Sequence, residues 1–257
     1  YSKASGTVFP LGTTTVLVRV TDIYGNQTDC SFDVVVNCVS PVITDCPADI
    51  TTGTAPGTCA APVNYNITIN AGSPQASVGY SFSGATTGSG AGTGSGSIFN
   101  KGITTVRVTA TNVCGTVSCS FTVVVNDTEA PVINSMPGDI TRSNDAGVCG
   151  AVVSWTAPMI SDNCPGVVYS STHHSGDLFP VGTTVVTYSA VDASGNIAES
   201  RSFTIRVNDT QAPEVQCPAG IVVTASTEEG SNGGVVVNYP GVSASDNCGV
   251  ATVVYSK

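Results

Sequence analysis

Ten cysteines and a recurring set of aspartates are the residues of this 257-residue chain with chemistry to offer. Zinc would need close-spaced Cys and His ligands, but CxxC is absent and the two histidines, His173 and His174, are adjacent. Disulfides made in an oxidising compartment are the better reading, and they predict an extracellular, cell-surface protein. Catalysis needs a nucleophile with its base, paired carboxylates in a cleft, or an open metal site. His173-His174 beside Ser175-Gly176 carries no such motif and reads as a solvated loop. The segment Gly88-Ser-Gly-Ala-Gly-Thr-Gly-Ser-Gly96 has no Lys-Ser/Thr behind it, so it reads as a flexible surface loop and not a phosphate cradle. No enzyme is expected. Asn26, Asn66, Asn126 and Asn208 open glycosylation sequons.

Eight basic residues against eighteen acidic ones give a net charge of −10. Such a surface repels nucleic acid and anionic lipid and attracts cations, of which calcium is the relevant one outside cells. No apolar run is long enough to span a bilayer, so no direct membrane insertion is expected. The sequence shows no signal peptide; any targeting or anchoring segment is expected outside this stretch.

The elements that position these residues repeat. Phe9-Pro-Leu-Gly-Thr-Thr-Thr-Val16, Phe99-Asn-Lys-Gly-Ile-Thr-Thr-Val106 and Phe179-Pro-Val-Gly-Thr-Thr-Val-Val186 each open an alternating strand. Turns come next at Asp22-Ile-Tyr-Gly-Asn26, Thr111-Asn-Val-Cys-Gly115 and Asp192-Ala-Ser-Gly-Asn196, then second strands through Cys30, Cys119 and Arg201. Each reads as a hairpin. Linkers close them at Asn37-Cys-Val-Ser-Pro41, Asn126-Asp-Thr-Glu-Ala-Pro131 and Asn208-Asp-Thr-Gln-Ala-Pro213, where proline blocks continued pairing. The period of 80 to 90 residues suits a sandwich of about six or seven strands. The expected fold is all-β: tandem immunoglobulin-like β-sandwich modules in a linear array. Residues 1–37 form the back half of one module, 38–126 and 127–208 are complete, and 209–257 form a front half. Trp155 is the expected core aromatic of an early strand. Tyr1-Ser-Lys3 matches Tyr255-Ser-Lys257, as though the chain were one period of a longer, nearly periodic polypeptide.

As a set, these landmarks resemble the hyalin repeat (HYR) family: Asp-Thr-x-x-Pro, Cys-Pro-x-(Asp/Gly)-Ile, Asp-Asn-Cys at 162–164 and 246–248, Phe-Pro-x-Gly-Thr-Thr, Asp-x-x-Gly-Asn and Cys-Ser-Phe. Residues 38–126 depart most, lacking Asp-Asn-Cys and carrying an insert at 84–97. The resemblance implies long extracellular proteins associated with adhesion. The Gly-, Thr- and Val-rich style is also similar to that of giant bacterial surface adhesins, including the mobile filaments of gliding bacteria.

The repeats then act as controls for the cysteines. Cys46 and Cys119 stand where residues 127–208 have Met136 and Arg201, so both are present or both absent, as a bonded pair would be. Cys30 is expected to bond the Cys217 of an adjoining copy. Cys149 and Cys164 most simply pair with each other. Cys114 has two competing partners, Cys38 and Cys59, leaving Cys248 for Cys59 or Cys38 of a neighbour. A calcium junction is the matching expectation for the acidic motifs: Asp127, Asp162 with Asn163, and Asp192 with Asn196, repeated as Asp209, Asp246 and Asp22. Calcium takes about six to eight oxygens at roughly 2.3–2.6 Å, which carboxylates from several loops supply. The competing reading is turn capping by Asp and Asn. In function, the chain is expected to be a stalk or filament segment of a surface adhesin, partnered by neighbouring copies of the repeat. The alternative is a module recognising glycan or protein through the 84–97 insert and the His173-His174 loop.

Overall fold

The structure is a computed structural model that describes residues 2–224, 235–250 and 252–256. Tyr1 and Lys257, the outer residues of the matching Tyr-Ser-Lys ends, lie outside the described residues. All the regular elements among the described residues are strands, so the fold is all-β. The chain divides into two compact units, Tyr1–Glu129 and Ala130–Lys257.

The first unit opens on a hairpin of β1 (Gly12–Thr21) and β2 (Gln27–Val36). Nine strands come after it: β3 (Val42–Asp45), β4 (Ile50–Gly53), β5 (Ala60–Pro62), β6 (Thr68–Asn70), β7 (Ser77–Gly84), β8 (Gly88–Ala91), β9 (Ile98–Asn100), β10 (Gly102–Asn112) and β11 (Gly115–Asn126). Five of them hydrogen-bond in the order β4-β11-β10-β7-β8, with β4 parallel to β11, while β3–β6 and β5–β9 form separate pairs. The period of two decides what is buried. Thr104, Val106, Val108 and Ala110 of β10, and Cys119, Phe121, Val123 and Val125 of β11, all turn inward. Ala61, Phe82 and Phe99 complete that core, with Ile43 and Ile69 of the β3–β6 pair packed against it. The arrangement is compatible with an immunoglobulin-like sandwich.

The second unit repeats the plan with β12 (Val132–Asn134), β13 (Ile140–Ser143), β14 (Gly150–Val152), β15 (Met159–Ser161), β16 (Val168–Ser171), β17 (Leu178–Pro180), β18 (Gly182–Val191) and β19 (Arg201–Asn208). Its four-stranded sheet runs β13-β19-β18-β16, beside the pairs β12–β15 and β14–β17. Trp155 is a core aromatic here: its Nε1 donates to Tyr188 Oη at 2.9 Å and its ring meets Phe203 edge-on at 5.3 Å. Tyr65 plays that part in the first unit, edge-on to Phe121 at 4.9 Å. Then come β20 (Glu214–Gln216) and β21 (Ser243–Ser245), paired only with each other.

The glycine-rich insert differs from its expectation as a flexible loop. Residues Gly88–Ala91 form β8 on the edge of β7, and Tyr65 Oη donates to Thr93 O at 2.8 Å. Glycine is needed for close approach: a Cβ on Gly94, whose φ is +77°, would sit 2.8 Å from the Tyr80 and Phe82 rings.

Candidate functional site

The residues with chemistry collect at the two ends of each sandwich, because the long hairpin strands carry turns at one end and linkers at the other. Gly182 of β18 pairs with Val207, beside the linker after residue 208, whereas Val191 leads into the Asp192 turn at the far end. Ten residues of strand separate the two ends by roughly 30 Å.

This geometry sorts the cysteines. Cys46 bonds Cys119, tying the opening stretch of the first sandwich to its last strand, with Cα atoms 5.9 Å apart. Cys38 bonds Cys114, so the linker is fastened to the hairpin turn. Ser40 Oγ donates to Cys114 O at 3.0 Å, and Asn112 Nδ2 donates to Val39 O at 2.8 Å, reinforcing that fastening. The competing Cys59–Cys114 bond is thereby corrected. Lys101 N donates to Cys59 O at 3.0 Å, which places Cys59 at the start of β10, with Cys114 at the other end of that strand.

The Cys149–Cys164 expectation is also corrected, since Cys149 bonds Cys248. Cys149 precedes Gly150, which pairs with Pro180 at the linker end of the sandwich. Cys164 stands two residues after Asp162 at the Asp192 end, too far away to be reached. Cys164 and Cys59 are both disulfide-bonded, and Cys30 and Cys217 are free and exposed. Around the Cys149–Cys248 bond the segment after the linker is stitched to the sandwich before it. Gly147 N donates to Gln211 Oε1 at 2.8 Å, Thr210 N to Asn144 Oδ1 at 2.9 Å and Asn247 Nδ2 to Val148 O at 2.9 Å. The first unit uses the same device, with Gly57 N donating to the Glu129 carboxylate at 2.9 Å. Sequence reasoning missed Gln211 and Glu129. The signal was there, as the first variable place of Asp-Thr-x-x-Pro.

The aspartates share a local geometry. Oδ1 accepts from the backbone N–H two residues on in Asp162 (Cys164 N, 2.8 Å), Asp246 (Cys248 N, 2.8 Å), Asp209 (Gln211 N, 3.1 Å) and Asp127 (Glu129 N, 3.3 Å). These are capped turns. Asp22 and Asp192 go further, each accepting two backbone N–H groups and the side-chain amide of Asn26 or Asn196. The Asn26 amide, with those N–H groups, holds the Asp22 carboxyl below the usual carboxylate range. In the second unit, Asp162 and Asp192 have carboxylate oxygens within 4.8 Å of each other, as do Asp209 and Asp246. Oδ2 of Asp162, Oδ2 of Asp246 and Oδ1 of Asn247 are buried without a hydrogen-bond partner. Asn163 adjoins the first pair in sequence. Asp127 is buried in the first unit with Lys101 Nζ at 3.4 Å. Asp22 lies on the β1–β2 turn, exposed.

Two further carboxylates went unpredicted. Asp49 accepts from Thr122 N at 2.7 Å and Asp139 from Thr204 N at 2.8 Å. Each pins the strand-opening turn to the last strand of its sandwich, and each is held below the ordinary carboxylate range by that backbone bond. The shared Pro-x-Asp-Ile spelling was the legible signal. His174 stays exposed, 3.9 Å from Asp177, and His173 packs its ring on Phe179.

Against known proteins, the HYR domain family profile matches residues 126–207. Hyalin of Strongylocentrotus purpuratus is 36% identical over 98% of this chain and 21% of its own length. Hyalin of Lytechinus variegatus is 33% identical over 98% of this chain and 48% of its own length. The chain therefore spans less than half of these relatives. Among solved structures, the I-band fragment I67-I69 from titin is 13% identical with a TM-score of 0.35, covering 77% of this chain and 75% of that one.

Proposed function

We propose that this chain, which belongs to the HYR domain family, is a load-bearing spacer in an extracellular cell-adhesion protein. Its units in this reading are the modules 38–126 and 127–208, flanked by 1–37 and 209–257. The observation that carries the proposal is the stitched linker of the second unit, where Cys149–Cys248 and three hydrogen bonds fasten the segment beyond the linker to the sandwich before it. A flexible tether needs no such bond. A segment that must transmit force does, because a disulfide removes the enclosed residues from the length that tension can extend.

The test is stretching of single molecules by their ends. Cys149 and Cys248 are 99 residues apart, so reduction should add on the order of 340 Å of contour length at roughly 3.4 Å per residue for that loop alone. An oxidised chain that extends as far as the reduced one would end the proposal.

Calcium at the two ends of the second sandwich is the second part. Asp209 with Asp246, and Asp162 with Asp192, are the carboxylates that would hold it. The fit rests on chemistry: backbone N–H groups anchor Oδ1, and the buried Oδ2 atoms of Asp162 and Asp246 are left for a cation. Four carboxylates do not complete two shells of six to eight oxygens, so backbone carbonyls and water would supply the rest.

A further inference from the structure

The second unit lacks one strand of the plan that the first unit follows. Its β12 to β19 answer in turn to β3, β4, β5, β6, β7, β9, β10 and β11, and β8 alone has no counterpart among the described residues. So β7 has β10 on one side and β8 on the other, whereas β16 pairs with β18 and then ends its sheet. The cause is local and lies in mid-chain. Phe82 packs its ring on Phe99 at 4.9 Å and His173 packs on Phe179 at 5.3 Å, so the two stand in corresponding places. Between them the first unit runs through the glycine-rich insert, and the second through the short turn His174-Ser-Gly-Asp177.

The open edge of β16 presents defined groups. Thr172 N donates to Thr187 O at 3.1 Å, so antiparallel alternation turns the backbone of Ser170 toward β18 and that of Tyr169 and Ser171 outward. The first unit uses the same places. Tyr169 pairs with Ala190 as Val78 pairs with Ala110, and Val78 O accepts from Gly92 N, at the end of β8, at 2.9 Å. Tyr169 shares its face with the buried Ala190, yet it is 56% exposed. Sheet edges are ordinarily guarded by charge, proline or a bulge. Here Asn163 to Gly176 contains no Asp, Glu, Lys or Arg, and Val168–Ser171 has neither a proline nor a break in register.

We propose that β16 pairs antiparallel with β16 of a second copy of this chain, about a two-fold axis through Ser170, so that two chains join side by side. In that register the outward N–H and C=O of Tyr169 meet the C=O and N–H of Ser171 in the second copy, and the symmetry repeats the exchange. A second copy fits because the edge is self-complementary: Tyr169 and Ser171 flank Ser170, and one rotation satisfies both. Each tyrosine then lies opposite a small residue. The β7–β8 pair shows that arrangement, with Tyr80 opposite Gly90, where a Cβ on the glycine would stand 2.9 Å from the tyrosine ring. Four residues suffice for the contact, since β8 is no longer than β16. The uncharged stretch lets two chains of net charge −10 approach at this edge. Side-by-side pairing is independent of load bearing, which the stretching of single chains measures.

The experiment is sedimentation equilibrium of the full chain carrying Cys30→Ser and Cys217→Ser, so that neither exposed thiol can join copies. The expected result is a monomer–dimer equilibrium half associated between about 0.1 and 1 mM, weak as small contacts are. Ser170→Lys sets like charges face to face at the axis, and Tyr169→Ala removes the aromatic anchor. Each should weaken the dimer by about tenfold, with the circular dichroism of the variant chains unchanged. Register is read by disulfide trapping under oxidised glutathione in the same background. Ser170→Cys should give a linked dimer, because opposite residues of this kind have Cα atoms about 4.5 Å apart. Val168→Cys should not, since its two copies would stand four residues out of register, roughly 13 Å. A chain still monomeric at about 1 mM, a dimer indifferent to both substitutions, or equal trapping at Val168 would overturn the proposal. So would a monomer that bound a peptide of residues 86–96, since the occupant would then be a β8-like strand and not a second copy.

Discussion

Phe32, Phe121 and Phe203 are the same residue of the same hairpin, and only surroundings separate them. Phe121 and Phe203 are each 4% exposed inside a filled core. Their replacement by alanine removes burial and leaves a cavity, so each variant should lose about 3–5 kcal/mol in urea unfolding. Phe32→Ala in the isolated chain should stay within about 0.5 kcal/mol of the parent, as surface changes do. Asp49 and Asp139 make the pH prediction. Their folded values are depressed by the Thr122 and Thr204 N–H groups. A depressed carboxylate contributes stability that is present above its unfolded value and lost as pH falls through the folded one. Thermal unfolding of the parent should therefore weaken as pH drops below about 4, the ordinary Asp range. An Asp49→Ala, Asp139→Ala chain should show a flatter acid limb. Parallel acid limbs would show that the two bonds contribute nothing to folding.

Among the elements, the hairpins declare themselves through alternation and the Asp-x-x-Gly-Asn turn, and the structure adds what holds them to their neighbours. Cys46–Cys119 closes a 73-residue separation, for which chain entropy gives about 4 kcal/mol. A Cys46→Ser, Cys119→Ser chain should lose that much from its first unit in denaturant titration. The second unit, whose counterparts are Met136 and Arg201, should unfold unchanged. The β7–β8 edge offers a sharper case. Gly94→Ala places a methyl group against two rings at a backbone angle that favours glycine, and overpacking of this kind costs about 1–3 kcal/mol. An unaltered melting temperature would mean that β8 peels away from Tyr80 and Phe82 at little cost.

For the whole molecule, the linkers matter most. Paired carboxylates beside Cys149–Cys248 should make stability depend on calcium. Saturation at about a hundredfold over the dissociation constant adds roughly 2.7 kcal/mol, reversed by chelation. Asp246→Asn should remove most of that response while preserving the Oδ1 bond to Cys248 N. Scanning calorimetry with and without millimolar calcium reads it directly, and identical traces for the folded parent would leave these turns as caps alone.

Local pattern was enough for the all-β class, the repeat, the hairpin turns and the linkers, because strand period and turn chemistry are written every few residues. It also marked Cys46 and Cys119, since a neighbouring repeat lacks both. The partner of Cys149 was beyond its reach. Which end of a sandwich a residue occupies depends on strand direction, and two cysteines fifteen positions apart stand at opposite ends. Only the packed strands reveal that Cys149 faces forward to Cys248, or that Asp49 reaches Thr122. Those contacts join residues far apart in sequence, and a local spelling such as Pro-x-Asp-Ile marks one member of a contact but not its partner.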